Sequence, residues 1–193
     1  MNTPLRYIFA AWLVLSSLTF SLAQKQSSIV TISADEKPYK GSKNAKAMAL
    51  YNLGSRLSYQ GDDYAKAATL LEEAVRLDST FVEAIDNLAV CYRRLGKYEE
   101  SIRCSEDSIR AFPDGEIAHC NLALTYSLIN QQKKALYEYK KVKDINPNNP
   151  EAFYGSAVIC YEQNDLTRAL LNAAEAERLY RNCLLYTSDA ADE

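Results

Sequence analysis

The chain has a single histidine, His119, and among its 193 residues only six glycines, five prolines and one tryptophan. These shortages exclude several kinds of chemistry. With one histidine and no Cys-x-x-Cys pair, a zinc site lacks its ordinary ligands. No glycine-rich loop precedes a helix to hold a phosphate, and no serine or cysteine stands in a turn of the nucleophile kind. Asp62-Asp63, Glu72-Glu73 and Glu99-Glu100 are adjacent carboxylates. Neighbours on a helix point about 100° apart, so such pairs do not face each other across a substrate. No catalytic residue, metal ligand or cofactor is expected.

An excess of one charge is also missing. The 22 basic and 25 acidic side chains leave a formal charge of −3, and Asp189, Asp192 and Glu193 at the C-terminus account for the difference. Nothing electrostatic favours nucleic acid or an anionic membrane surface. The apolar stretch from Tyr7 to Leu22 is broken by Ser16, Ser17, Thr19 and Ser21 and falls short of the roughly 20 apolar residues that span a bilayer. With Arg6 before it and Ser21-Leu22-Ala23 after it, residues 1–23 read as a secretory signal cleaved after Ala23. The mature chain is expected in the periplasm or outside the cell, without membrane insertion after cleavage. Residues 24–44 read as a flexible leader in which Ile29, Val30 and Ile32 offer a brief alternation. Residues 183–193 read codon by codon as a translated sequencing-library adapter, so they are set outside the fold and the native chain is expected to continue past Asn182. Cys91, Cys104, Cys120 and Cys160 all fall in expected helices, and a helical stack of this size needs no disulfide staple. Free, mostly buried thiols are expected.

What is present is a repeat. Ala84, Leu88, Ala89 and Tyr92 return in the same order and at the same spacing as Ala118, Leu122, Ala123 and Tyr126. The interval is the one that belongs to arrays of helical hairpins. A third copy starts at Ala152, one interval further on, with Ala157 in the small slot. An earlier one at Ala49 carries Leu53, Gly54 and Leu57, with one extra residue in its turn. Gly61, Gly96, Pro113, Gly115, Pro147 and Pro150 punctuate the pattern where turns belong. Each unit divides into two helices of about 14 residues. Their facing sides are Leu50, Leu53, Gly54 and Leu57 with Ala67, Leu71 and Ala74, and then Ile85, Leu88, Ala89 and Tyr92 with Ser101, Ser105, Ser108 and Ile109. The next are His119, Leu122, Ala123 and Tyr126 with Ala135, Tyr139 and Val142, and Phe153, Ala157 and Cys160 with Ala169, Ala173 and Ala176.

With these residues, 47–180 resembles tandem tetratricopeptide repeats of an exported bacterial protein. Ser101 and Ser108 stand where alanine is usual, Ser79 replaces the closing proline, and Ser156 and Cys160 take the places of leucine and tyrosine. The resemblance implies an all-α, right-handed α-solenoid of four repeats, 47–81, 82–115, 116–149 and 150–182, with first helices lining a concave groove. It also implies a following helix over Leu170, Ala174 and Leu179, which are otherwise expected to face water and to promote self-association through the last repeat. Periodicity then places Met48, Tyr51, Ser55 and Tyr59 on the groove face, with Glu83, Asp86, Val90, Arg93 and Arg94 beside them. Ile117, Cys120, Leu124 and Leu128, then Glu151, Tyr154, Val158 and Tyr161, continue that face.

The groove suits an extended or helical segment of a protein or peptide partner, with Arg93 and Arg94 available to a carboxylate. Where chaperone-adaptor repeats carry lysines and asparagines on successive first helices, this chain has Tyr51, Ser55, Glu83 and Asn87, and one repeat later Asp86, Val90, Ile117 and Asn121. Only Asn87 and Asn121 match, so a chaperone adaptor is not expected. The expected function is an interaction scaffold at the cell envelope; the alternative is the N-terminal repeat region of a longer sensor kinase or envelope enzyme.

Overall fold

The structure is a computed structural model that describes residues 40–61 and 63–189, with the side chains of 183–189 left aside. The expectations for the signal, for Ile29, Val30 and Ile32 and for the adapter-like side chains lie outside the described residues. Helices α1 (Ala45–Gln60) and α2 (Tyr64–Leu77) form one hairpin, α3 (Val82–Arg94) and α4 (Tyr98–Ala111) the next. Then follow α5 (Glu116–Leu128) with α6 (Gln132–Ile145), and α7 (Pro150–Glu162) with α8 (Leu166–Asp189). Among the described residues there is no strand.

The helix ends follow from local chemistry. Asn44 accepts from the backbone N–H groups of Lys46 and Ala47, Asp63 from that of Lys66, and Asn149 from that of Ala152, with Pro150 at the first turn of α7. Between the two helices of every hairpin the chain takes one left-handed residue: Gly61 (φ 72°), Gly96 (φ 73°), Asn130 (φ 60°) and Asn164 (φ 62°). The last three occupy one position of the repeat, and asparagine is the side chain that best tolerates this conformation in place of glycine. Residues 40–44, read from the sequence as the end of the leader, are tied to the stack. Gly41 N–H donates to Glu83 at 2.8 Å and the Ser42 hydroxyl donates to Asp78.

Each hairpin contacts only the next one along the chain. First helices also touch one another, α1 with α3, α3 with α5 and α5 with α7, whereas second helices do not meet each other. Close spacing on one side and wide spacing on the other bends the stack, so the first helices lie on its inside. Close approach depends on small residues: Ala47, Ala67, Ala84, Ala89, Ala118, Ala123, Ala135, Ala152 and Ala169 are fully buried. A Cβ on Gly54 would press on Leu71 and the Ala67 carbonyl, so α1 and α2 cross at that point.

The apolar interior forms two clusters, one around Leu71, Phe81 and Leu88 and another around Leu122, Tyr139 and Ile159. They are separated where α4 presents Ser101, Ser105 and Ser108, all buried. Ser101 donates to the Ala89 carbonyl at 2.8 Å and lies 3.0 Å from the Thr125 hydroxyl, while Ser105 and Thr125 bond back to carbonyls one turn earlier in their own helices. The serine departures thus become a buried hydroxyl seam, although the Ser108 hydroxyl has no partner among the described residues.

Two packing expectations need correction. Leu53 is 36% exposed, because Gly54 is the residue of that pair that faces α2. Leu179 is buried at 4%, since it continues the row Ala169, Ala173 and Ala176 along the packed side of α8. Leu170 and Ala174 are exposed, and Leu171 joins them at 67%. Cys91, Cys104, Cys120 and Cys160 are free thiols, and burial pushes those of Cys91, Cys104 and Cys120 up, away from the reactive range.

The turn geometry carries a measurable cost. Asn130→Ala, which adopts φ 60° less readily, should lower the unfolding free energy by about 1 kcal/mol in urea titrations, while Asn130→Gly should match or exceed the parent. Equal stability of the alanine variant would show that the turn relaxes without strain.

Candidate functional site: the concave wall

First helices line the concave side, and their sequence residues divide there into three groups. Tyr59 and Leu128 stand out, at 50% and 57% exposure, and Tyr154, Tyr161, Ile117 and Leu124 are half-buried with part of each side chain open. Tyr51 is half-buried as well, with its ring 4.8 Å from that of Phe81, so it also belongs to the packing of the first hairpin. Asp86, expected on the groove face, is 3% exposed and sits beneath it.

The charged residues of the wall are less alike than their spacing suggests. Glu83 is occupied by the Gly41 N–H, and Glu151 accepts from the Tyr180 hydroxyl at 2.7 Å while burial pushes its carboxyl up. Arg94 is exposed and lies 6.0 Å over the Tyr64 ring, beside the hairpin turn. Arg93 is half-buried, with its Nε inaccessible and without an acceptor among the described residues. Burial, followed by the neighbouring Arg94, weakens the hold of its guanidinium on the proton.

A row at one position of the first helices explains how the wall is held. Asn87 donates from Nδ2 to the Ser55 hydroxyl at 2.8 Å, and Asn121 donates to the Asp86 carbonyl at 3.3 Å. Each asparagine therefore reaches back to the preceding first helix. The corresponding position of the fourth hairpin is Gly155, and the ring of Tyr139 occupies the space where its Cβ would stand. The glycine lets a fully buried phenol from α6 lie against the backbone of α7.

Other functional-looking residues face away from the wall. His119 is 7% exposed, with Nδ1 2.6 Å from Glu138 and Nε2 3.0 Å from the Pro113 carbonyl. Both ring nitrogens meet acceptors, an arrangement that only the imidazolium satisfies, and the Glu138 bond raises its pKa against the desolvation that opposes it. It links the end of α4 to α6 and borders a cleft of about 1040 Å³ that also takes in Ile109, Leu122, Tyr126 and Tyr137. The Lys143 amine donates to Ser156 at 2.8 Å and Asn172 at 2.7 Å, and burial holds its pKa down to about 8. Ser156 replaces the usual leucine where that amine enters the fold. Among the described residues no group of three His, Cys, Asp or Glu could hold a metal, and no helix is long and apolar enough to cross a membrane.

The bent stack and its inward wall define an α-solenoid with a concave surface open to other chains. Residues 81–148, which take in the second and third hairpins, match the tetratricopeptide repeat family. The human Protein O-mannosyl-transferase TMTC3 is 27% identical over 128 residues, a match that covers 64% of this chain and only 13% of that protein's length. The crystal structure of MamA superposes with a TM-score of 0.65 at 20% identity, covering 72% of this chain and 81% of that one. The first tetratricopeptide domain of Spaghetti (RPAP3), bound to the HSP90 peptide SRMEEVD, superposes with a TM-score of 0.58 at 21% identity, covering 62% and 94%. Both likenesses show the fold, a right-handed superhelix of helical hairpins.

Sequence reasoning missed Gly155, Glu138 and Lys143. The repeat register could have found the first, since Asn87, Asn121 and Gly155 share one position, but no local pattern pairs His119 with Glu138.

The His119 clip predicts a pH dependence. Its folded pKa lies above the ordinary 6.5, so the stabilisation is complete below that value and is lost as pH rises through the folded pKa. Melting curves should show the parent losing its advantage over His119→Gln as pH is raised above neutrality. A constant difference between the two proteins would refute the ionic clip.

Proposed function

We propose that the chain is an exported interaction scaffold whose concave wall holds an extended or helical segment of a protein partner. The observation that carries this reading is the placement of Tyr59, Leu124, Leu128, Tyr154 and Tyr161 on the inner side of the bend with apolar and aromatic surface open. Side chains of this kind gain most from covering by a partner, and a curved wall of helices accepts a peptide along its length. The peptide-bound state of the Spaghetti repeats supports the same use of the fold. Export rests on Arg6, the apolar stretch Tyr7 to Leu22 and the small residues ending at Ala23. The periplasm or the cell exterior follows from that signal.

A second reading, the repeat region of a longer sensor kinase or envelope enzyme, is favoured by one observation: the TMTC3 match occupies 13% of a much longer protein. In that case the wall recruits or positions what the remainder of the protein acts on.

Replacing Tyr59, Leu124 and Tyr154 together by alanine should abolish capture of the partner from an envelope fraction while the far-ultraviolet circular dichroism stays helical. Unchanged capture by a folded variant would sink the groove. Export is checked by the mass of the mature protein, which should begin at Gln24; a retained Met1 in the envelope fraction would contradict a cleaved signal.

A further inference from the structure

On the outer side of the bend, neighbouring second helices stand apart and leave a trough whose floor is the first helix between them. In the trough between α2 and α4 the Tyr92 hydroxyl donates to Glu72 at 2.7 Å, and in the trough between α6 and α8 the Lys143 amine crosses to Asn172. The trough between α4 and α6 has neither tie. Glu106 and Tyr126 repeat the positions of Glu72 and Tyr92, with no hydrogen bond between them among the described residues, and the apolar Ile109 stands at the position of Lys143. The cleft bordered by His119 opens here. Its floor is the buried Leu122 and Tyr126, while Ile109 and Ile145 are half-buried on its sides and Tyr137 is 58% exposed.

The two banks of this cleft carry opposite charge. On the α4 side Glu106 and Asp114 are exposed and make no ion pair among the described residues, whereas Arg110 is held by Asp107 of its own helix. On the α6 side Lys134 lies 5.0 Å over the Tyr126 ring and Lys141 lies 5.6 Å over that of Tyr137, both exposed. The carboxylates of that side are engaged, Asp144 by Lys140 and Glu138 by His119. Among the described residues no ion pair crosses from one bank to the other, so the open carboxylates and the open ammonium groups face a shared gap.

A helix suits such a trough better than an extended strand. An extended strand sends its side chains alternately to the floor and to solvent, whereas an amphipathic helix lays an apolar stripe on the floor and turns a polar row toward each bank.

We propose that the outer cleft between α4 and α6 seats an amphipathic helix of a protein partner, with basic side chains on the flank along Glu106 and Asp114 and acidic ones on the flank along Lys134 and Lys141. Its apolar stripe covers Tyr137, Ile109 and Ile145, and the opposite charge of the banks sets the direction in which it lies. The site is separate from the concave wall and does not depend on the reading of that wall.

The test is a phage-displayed library of helical peptides with a fixed leucine stripe and with both flanks randomised among Lys, Glu and Gln, selected on the full chain. Selection on the parent should enrich Lys on one flank and Glu on the other. Glu106→Lys with Asp114→Lys makes both banks basic and should move the enrichment to Glu on both flanks. Glu106→Gln with Asp114→Asn, which removes charge without adding any, should relax the preference for Lys. The mixed-charge peptide should bind the lysine double variant and Tyr137→Ala about 5-fold more weakly than the parent, and the part due to charge should shrink as salt is raised. All of these side chains are exposed, so the variants should keep the helical circular dichroism of the parent. Absence of enrichment, one sign enriched on both flanks by the parent, or the same pattern on parent and lysine double variant overturns the proposal. Peptides that lose binding in the Tyr59, Leu124 and Tyr154 alanine variant and keep it in Tyr137→Ala lie on the concave wall, which overturns the outer site and leaves the wall standing.

Discussion

Everything in this molecule depends on the distance at which two first helices can pass. The alanines at the crossings, fully buried in every hairpin, let backbones approach until the first helices of neighbouring repeats touch, while the second helices stay apart. From that asymmetry come the bend, the inner wall and the exposure of the residues on it. The hairpins have no independent centres either: the cluster around Leu71 extends through Phe81 to Leu88, and that around Tyr139 extends to Ile159. Stability therefore belongs to the interfaces as much as to the units.

Inside this frame the polar groups are placed for alignment. Buried serines lower the apolar content of α4, yet Ser101 bonds across to α3 and lies beside Thr125 of α5, which joins three helices at one point. Asn87 and Asn121 link successive first helices, Lys143 joins α6 to α7 and α8, and His119 joins the end of α4 to α6. Buried hydrogen bonds contribute little net energy when made and cost more when unmade, so they penalise slippage between repeats. Arg93 does not fit this pattern, because its buried donor is answered by nothing among the described residues.

Much of this was legible in advance. A constant repeat interval with alanine at the crossings requires helical hairpins, and Gly96 and Pro113 stand just past the ends of α3 and α4, at Arg94 and Ala111. The open apolar side chains Leu124, Leu128, Tyr154 and Tyr161 stand off the packed rows, round the helix from them, and that separation is readable from the helical period. Errors arose where two neighbours compete for one position. Leu53 is the larger and more apolar of its pair, but the crossing admits only Gly54. Leu179, expected to need a following helix as cover, is turned inward by its own helix. The charged part of the wall was the least legible, because Glu83, Asp86, Arg93 and Arg94 have similar spacing and quite different surroundings.

The amino-acid order by itself determined the period, the helices, the turn sites and the class of surface, because all of these depend on residues within a few positions of one another or on their exact recurrence. Only the tertiary structure decided which charges are engaged. Glu83 is taken by a residue 42 positions away and His119 by one 19 positions away, whereas no described residue answers Arg93. Electrostatic pairing is a property of distance in space and of burial, and neither is written in the local pattern.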